Sequence, residues 1–231
     1  MGFLQDVKGK LIVSCQALPD EPLHSSFIMG RMAKAAKEGG AVAIRAQSSV
    51  DINEIKKVTG LPVIGLVKRN YDDSPIYITP TMAEVEDLLT TDCEMIALDM
   101  THRKRPGNEK AERLVERIHE AGRLVLADIS TYEECVEAAG LGADAVSTTL
   151  SGYTPYSPQL TGPDVELVRK ASGELAIPVF AEGRIHVPED IQAVMDAGAY
   201  APIVGSAITR PQLIAAGFAK VLQGSSDERI G

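Results

Sequence analysis

Positive charge, cysteine and long hydrophobic runs are all scarce in this sequence, and each shortage excludes a class of protein. The 231 residues hold 23 lysines and arginines against 32 acidic residues, which gives a net charge of -9. This balance disfavours binding to nucleic acid or to an anionic membrane surface. No run of about twenty apolar residues is present, and the first residues lack the basic-then-apolar order of a signal peptide. We expect a cytoplasmic protein that binds neither membranes nor nucleic acid.

The few cysteines and histidines argue against disulfides and metal sites. Cys15, Cys93 and Cys135 are an odd, widely spaced set without a CxxC pair. Reduced, buried thiols are therefore expected. The four histidines are not spaced to share a metal ion, so we predict no metal centre. His102 and His186 follow predicted strands, but single loop histidines are more often peripheral, and we assign neither to the site.

Eight short, mostly apolar segments alternate with longer amphipathic ones. Such segments are typical of strands buried on both faces of a parallel sheet. They are Leu11–Cys15, Ala41–Ile44, Pro62–Val67, Met95–Leu98, Leu124–Ala127, Ala143–Val146, Ile177–Ala181 and Ala201–Val204. The helices predicted between them include Ser25–Glu38, Asn108–Glu120 and Thr131–Ala139. Helix starts are predicted at Asp51, Ser130-Thr131 and Pro188. Helix ends are predicted at the glycines Gly39–Gly40, Gly122, Gly140 and Gly198.

This alternation fits either an open doubly wound sheet or a closed barrel. A dinucleotide-binding sheet would carry a glycine fingerprint after its first strand, but the segment there is Cys15-Gln16-Ala17-Leu18-Pro19. We therefore predict the α/β class and a single (β/α)8 TIM barrel. The expected barrel domain covers residues 1–223, followed by a polar C-terminal tail at 224–231, because no linker divides the chain.

The predicted strands end in polar residues, and a TIM barrel places its catalytic groups at the C-terminal ends of its strands. The endings are Gln16, Arg45 with Gln47, Lys68, Asp99, Asp128, Ser147-Thr148-Thr149, Glu182 and Gly205-Ser206. Any single one could merely cap the next helix. Burying so many charges around one rim is costly unless they are paired or used, so the set predicts an active site. Two long loops, 69–80 and 151–163, are placed to cover it.

Glycine follows both the seventh and the eighth predicted strand, in Glu182-Gly183-Arg184 and Gly205-Ser206. Glycine lets the backbone approach a ligand closely, and a short helix starting near Ser206 would direct N–H groups at an anion. TIM barrels commonly bind phosphate here. We predict phosphate-binding loops after strands 7 and 8, formed by Gly183, Arg184, Gly205 and Ser206, with Arg210 adding a charged contact.

The order of these motifs resembles one known family. The segments that carry the resemblance are Ser14-Cys15-Gln16-Ala17-Leu18, Glu21-Pro22-Leu23, Ile44-Arg45, Leu66-Val67-Lys68-Arg69, Ala97-Leu98-Asp99, Ala127-Asp128-Ile129-Ser130, Ala181-Glu182-Gly183-Arg184-Ile185 and Val204–Pro211. Together they are similar to the N-acylglucosamine-6-phosphate 2-epimerases, also called N-acetylmannosamine-6-phosphate 2-epimerases. The resemblance implies a cofactor-independent, metal-free isomerase on a TIM barrel. It also implies a homodimer that interconverts N-acetylmannosamine 6-phosphate and N-acetylglucosamine 6-phosphate in bacterial sialic acid breakdown.

The resemblance also assigns roles to residues. Lys68 matches the family's catalytic lysine and Glu182 its catalytic glutamate. The positions that match substrate-binding residues are Gln16, Arg45, Asp128 and Arg210. Pro202 departs from the family pattern, and because proline cannot donate to a ladder we expect an irregular start to the eighth strand.

The implied chemistry suits these residue types. C2 of the open-chain sugar lies next to the C1 aldehyde, so loss of its proton gives an enolate that can be reprotonated on the opposite face. Lys68 can act as the base if burial and the charges of Arg45 and Arg69 lower its pKa. Glu182 would supply the other proton or orient a substrate hydroxyl that does. Gln16 or Arg45 would stabilise the developing oxyanion, or hold the acetamido group.

Two other functions stay open at this point. One is a different phosphate-handling barrel, such as an aldolase in which Lys68 forms a Schiff base. The other is a catalytically silent barrel that binds a sugar phosphate and regulates a partner. Lys68 and Glu182 argue against the silent barrel, because a binding module needs no acid–base pair.

Overall fold

The chain folds into a closed barrel of eight parallel strands, which confirms the predicted TIM barrel. The structure, a computed structural model, describes residues 2–223, so the predicted tail at 224–231 lies outside the described residues. The strands are β1 (Ile12–Cys15), β2 (Ala43–Gln47), β3 (Val63–Leu66), β4 (Met95–Asp99), β5 (Leu124–Asp128), β6 (Ala145–Ser147), β7 (Val179–Glu182) and β8 (Ala201–Val204). Each pairs with its neighbours in chain order, and β8 closes the ring on β1 through the pair Ile12 and Ile203.

Helices surround the barrel. The helix α1 (Phe3–Val7) precedes β1, and one α-helix follows each of the strands β1 to β7: α2 (Ser26–Glu38), α3 (Ser49–Thr59), α4 (Met82–Leu89), α5 (Ala111–Glu120), α6 (Tyr132–Gly140), α7 (Val165–Glu174) and α8 (Pro188–Asp196). The strand β8 leads into α9 (Ser206–Thr209) and α10 (Pro211–Gln223). Short 3-10 turns occupy Pro106–Asn108 and Thr148–Leu150. No helix within the described range is long and apolar enough to cross a membrane.

Apolar side chains fill two layers. Residues such as Val13 and Ile44 face outward against the helices, whereas Ile64 and Phe180 face the barrel interior, as alternation along a strand requires. The interior layer includes Phe3 of α1, so this helix closes the N-terminal end of the barrel. The polar groups therefore lie at the other end of the barrel, at the C-terminal ends of the strands.

Several predicted strands end earlier than the strands of the structure. The strand predicted at Ala41–Ile44 runs instead from Ala43 to Gln47, which puts Arg45 inside a ladder between Ser14 and Ile64. Pro202 does not disturb the start of β8, contrary to expectation. It removes one donor, but the pairs at Ala201 and Ile203 on either side hold the strand against β7.

The predicted starts and ends of the helices were partly correct. Thr131 caps α6 and Pro188 opens α8, as predicted. Asp51 does not start α3, because Ser48 is the N-cap and accepts a hydrogen bond from the Asp51 N–H. Gly140 is still helical, and the left-handed conformation falls to Gly142. The helix predicted from residue 108 begins at Ala111, after the 3-10 turn.

Candidate active site

A pocket of about 710 Å³ opens at the C-terminal ends of the strands. Nine of the ten predicted site residues line it: Gln16, Arg45, Lys68, Glu182, Gly183, Arg184, Gly205, Ser206 and Arg210. Asp128 is the exception, since it is fully buried and lies beneath the pocket. The lining also includes residues that sequence reasoning left out of the site, among them Tyr77, Thr149, Tyr153, His186 and Thr209.

Arg45 joins two carboxylates at the bottom of the pocket. Its NH1 and NH2 contact Asp128 Oδ1 and Oδ2 at 2.8 and 2.6 Å, and NH1 also contacts Glu182 Oε2 at 2.6 Å. Burial opposes the charge of Arg45, but the two carboxylates outweigh it and raise the pKa of the guanidinium above its ordinary value. Arg45 is therefore a permanent cation held between strands β2, β5 and β7.

Thr149 completes this cluster, and the sequence indicated it only as part of the polar ending Ser147-Thr148-Thr149. Its hydroxyl lies 2.7 Å from Asp128 Oδ1 and 3.0 Å from Glu182 Oε2. The neighbouring Thr148 hydroxyl accepts from the Glu182 N–H at 3.1 Å and donates to the Glu182 carbonyl at 2.9 Å. The β6 ending thus fixes both the backbone and the side chain of Glu182.

Lys68 lies two residues after the end of β3 and bridges Ile78 through its backbone, while its side chain makes no hydrogen bond to the residues that the structure describes. Burial lowers the pKa of Lys68 to about 8, helped by the charges of Arg45 and Arg210. The prediction that Arg69 would share this task was wrong, because Arg69 instead pairs with Glu84 at 2.9 Å. Lys68 can therefore lose its proton near neutral pH.

The pKa of Glu182 is shifted in the opposite direction from that of Lys68. Burial raises the pKa of its carboxyl, against the lowering effect of Arg45. Lys68 and Glu182 lie at the ends of β3 and β7, which are opposite each other in a ring of eight strands. Two titratable groups whose environments shift their pKa values in opposite directions form the usual pattern of an acid–base pair.

Two buried polar atoms of pocket residues have no hydrogen-bond partner within residues 2–223. They are Gln16 Oε1 and Arg45 Nε. Gln16 is held in place by its amide nitrogen, which donates to Ser14 Oγ at 2.8 Å. A buried polar atom left without a partner is costly, so the hydrogen bonding of both side chains is incomplete within the described residues.

The predicted phosphate residues lie at one side of the pocket. Gly205 precedes α9, and Arg210 follows it, with its Nε 3.0 Å from Glu21 Oε1. Arg184 adopts a positive φ of 53° and points its guanidinium into the loop after β6, where it donates to the Ser151 carbonyl. Arg184 thus already has backbone partners, whereas Arg210 pairs with the Glu21 carboxylate in the loop between β1 and α2.

The remaining polar strand ends serve the scaffold. Asp99 accepts from Arg103 and Thr101, and the Gln47 amide donates to the Ala17 carbonyl at 2.7 Å. All three cysteines are free and buried, as expected. Within residues 2–223, no three His, Cys, Asp or Glu side chains converge to hold a metal ion.

Comparison with known proteins places this chain in a family. Residues 29–224 match the NanE family model, described as "Putative N-acetylmannosamine-6-phosphate epimerase". A Clostridioides difficile relative, described as "Putative N-acetylmannosamine-6-phosphate 2-epimerase", is 62% identical over 221 residues. The match covers 96% of this chain and 99% of the relative. The solved N-acetylmannosamine-6-phosphate 2-epimerase of Clostridium perfringens is 63% identical with a TM-score of 0.94, covering 96% of each chain.

More distant structures share only the fold. Thiamine phosphate pyrophosphorylase of Pyrococcus furiosus superposes with a TM-score of 0.59 at 20% identity, covering 87% of each chain. The identity of the family therefore rests on the near relatives, which match this chain along almost its whole length. This chain belongs to the N-acetylmannosamine-6-phosphate 2-epimerase family and is an isomerase.

Proposed function

We propose that this protein interconverts N-acetylmannosamine 6-phosphate and N-acetylglucosamine 6-phosphate by removing and returning the proton at C2. The observation that carries the proposal is Lys68, an unpaired lysine of lowered pKa that lines the pocket together with Glu182. Neutral Lys68 takes the C2 proton and becomes an ammonium, while the electrons of the C–H bond form the enolate. The family membership supports this reaction.

Glu182 handles the second proton from the opposite side of the substrate. Its Oε1 has no hydrogen-bond partner among the described residues, whereas its Oε2 is held by Arg45. Gln16 and Arg45 would bind the polar atoms next to C2, because both polar side chains line the pocket. Asp128 is too deep to touch the sugar, so we assign it to holding Arg45.

The phosphate of the substrate would bind near Gly205, Ser206 and Arg210. The charge of Arg210 would contact the phosphate directly, and the glycine allows the backbone to approach it. Gly183 borders the same side of the pocket. Arg184 contributes indirectly in this scheme, since its guanidinium is bound to the loop after β6.

The direct test is to incubate the protein with N-acetylmannosamine 6-phosphate and to follow the C2 and anomeric signals by NMR. We expect the two epimers to reach equilibrium. Borohydride added with substrate should trap no adduct, because proton transfer needs no Schiff base. A covalent adduct on Lys68 would favour an aldolase, and tight sugar-phosphate binding without turnover would favour a regulatory protein.

We also propose that the protein is a cytoplasmic homodimer, paired through α10. On this helix Phe218 and Leu222 lie one turn apart, on the same face, and each is 76% exposed. An exposed apolar face of this kind is typical of a protein interface. The free, buried cysteines favour a reducing compartment.

Light scattering after gel filtration tests the dimer. We expect twice the chain mass of 24.6 kDa for the wild-type protein and a single chain mass for Phe218→Lys/Leu222→Lys. Val50→Lys, at an exposed apolar residue of α3, is the control and should leave the dimer intact. A monomeric wild-type protein would contradict the proposal.

A further inference from the structure

The guanidinium of Arg210 is held along one edge by a carboxylate from another loop. Glu21 lies between β1 and α2, and its Oε1 is 3.0 Å from Arg210 Nε. Arg210 NH2 donates to Glu21 Oε2 at 3.1 Å. Because a guanidinium is a planar fork, this contact occupies the Nε and NH2 edge and leaves NH1 unused. Arg210 NH1 has no hydrogen-bond partner within residues 2–223.

The Glu21 carboxylate is itself fixed by two further donors. The Leu18 N–H donates to Oε2 at 2.8 Å, and the Gln212 side-chain amide donates to Oε1 at 3.2 Å. The Glu21 N–H in turn donates to the Leu18 carbonyl at 2.9 Å, so this turn is closed through both backbone and side chain. Each carboxylate oxygen therefore has one contact with Arg210 and one with a second donor, and Glu21 meets Arg210 in a single orientation.

The pocket lies on the side of Arg210 that Glu21 does not occupy. Arg210 and Leu18 both line the pocket, whereas Glu21 is not among the described residues that do so. An anion that enters the pocket therefore need not displace the Glu21 carboxylate to reach Arg210. The backbone beside Arg210 is anchored as well, because the Thr209 hydroxyl donates to the Ser14 carbonyl at 2.8 Å.

We propose that Glu21 is a positioning residue that holds the Arg210 guanidinium by its Nε and NH2 edge and so keeps NH1 available to the phosphate of the substrate. The inference rests on the proposed function, in which Arg210 contacts that phosphate. An arginine side chain that must be ordered when a ligand binds lowers the affinity for that ligand. Because Glu21 orders Arg210 when the protein folds, the binding step avoids this loss.

Glu21 also brings a negative charge near the phosphate, and repulsion between the two would oppose binding. The two effects have opposite signs. Removing the carboxylate weakens phosphate binding if positioning dominates and strengthens it if repulsion dominates. We expect positioning to dominate, because the Glu21 carboxylate is directed at Arg210 and at two other donors and lies outside the pocket lining.

The test is the titration of the full-length protein with inorganic phosphate, followed by calorimetry. Glu21→Ala removes the carboxylate, and Glu21→Gln, which keeps the side-chain volume, is the second variant should alanine not fold. Glu86→Ala is the matched control, because Glu86 contacts Arg117 along the same Nε and NH2 edge, at 2.6 and 3.1 Å, away from the pocket lining. Glu21→Ala is also combined with Arg210→Ala.

We expect phosphate to bind about two- to tenfold more weakly to Glu21→Ala and Glu21→Gln, the range expected for ordering one long side chain. Glu86→Ala should bind phosphate as the wild type does. Glu21→Ala with Arg210→Ala should bind phosphate no more weakly than Arg210→Ala alone, because Glu21 acts through Arg210. With substrate, Glu21→Ala should raise KM by the same factor and change kcat little.

Unchanged or tighter phosphate binding in both Glu21 variants overturns the inference. An equal further loss in the Arg210→Ala background also overturns it, since that loss would show a general structural role. A wild-type protein that binds no phosphate contradicts the phosphate site and the inference together. Because the titration needs no turnover, the expected phosphate affinities without epimerisation would reject only the proposed function.

Discussion

Arg45 and Asp128 form a two-point ion pair beneath the pocket, in which the side chains are only 1% and 0% exposed. The Arg45 nitrogen that contacts Asp128 Oδ1 also contacts Glu182 Oε2. Asp128 therefore holds the Arg45 guanidinium in place, and that guanidinium in turn holds Glu182. A residue that never touches the substrate can in this way decide the geometry of one that does.

Asp128→Ala should lower the free energy of unfolding by up to about 3–5 kcal/mol, because it removes the two-point partner of the buried Arg45 charge and leaves Glu182 to balance it through one contact. Urea denaturation gives the value. Asp92→Ala is the matched control, since Asp92 is 91% exposed in its pair with Arg123 and should change stability little. Equal losses of unfolding free energy in the two variants would show that the buried ion pair contributes no more to stability than the exposed one.

Lys68→Met should abolish most activity and yet stabilise the protein near neutral pH. The activity should fall by at least about a hundredfold, the usual contribution of an acid–base group. Because the pKa of Lys68 is lowered to about 8, the folded state carries an unfavourable charge below that pH. The unfolded lysine titrates near 10.5, so the stability gain should be full below pH 8 and vanish as the pH rises to 10.5.

Parallel assays and thermal melts of wild-type protein and Lys68→Met between pH 6.5 and 10.5 test both halves of this prediction. Lys57→Met, at an exposed lysine of α3, is the control and should change neither property. A variant that keeps most of its activity would remove Lys68 from the mechanism. A variant that is less stable than wild type at pH 7 would show that the ammonium is a favourable structural group.

The pH dependence of kcat/KM should reveal the same group. If neutral Lys68 is the base, kcat/KM rises about tenfold per pH unit below pH 8 and flattens above it. Arg210 is one of the cations that lower the pKa of Lys68, so Arg210→Ala should move this bend to higher pH. A flat profile between pH 6 and 8 would be incompatible with Lys68 as the base.

Arg210→Ala should also raise KM for the phosphorylated sugar far more than it lowers kcat. Binding energy from the phosphate positions the distant reacting carbon, so N-acetylmannosamine without phosphate should be a poor substrate of the wild-type protein. Arg117→Ala, which removes a half-buried arginine on α5 outside the pocket lining, should leave both constants unchanged. Equal wild-type activity on the free sugar would contradict the phosphate assignment.

Solvent isotope incorporation tests the two-sided proton path. In heavy water, early product should carry deuterium at C2 while unreacted substrate keeps its hydrogen, because the arriving proton comes from a group in exchange with solvent. Glu182→Gln should suppress net epimerisation while Lys68 still exchanges the C2 hydrogen of one epimer. Substantial C2 hydrogen in early product would instead indicate one base that serves both faces.

The barrel and most of the pocket could be predicted because both follow from local rules. Buried parallel strands are apolar, and the polar residues that end them gather at the C-terminal end of the barrel, where the pocket lies, which located Lys68 and Glu182 from sequence. The direction of Asp128, below rather than into the pocket, could not be predicted. Its position depends on where Arg45 sits in β2, and the predicted strand stopped one residue too early to include it.

Thr149 and Glu21 escaped prediction for a related reason. A threonine at a strand end is a common cap, and only the approach of Asp128 and Glu182 from other strands gives this one its role. Glu21 contacts Arg210, which is 189 residues away. Contacts between such distant parts of a sequence leave no local periodicity by which to recognise them.

The pairing of β1 with β8, together with the contact between Glu21 and Arg210, has a consequence for biosynthesis. The pocket wall on that side consists of the first and the last loops of the barrel, so it cannot exist on a partly synthesised chain. A ribosome-bound chain that ends before Arg210 can form several βα units, yet it lacks both the ring closure and the predicted phosphate contact. Substrate would therefore recognise the polypeptide only after its final strand has been released from the exit tunnel.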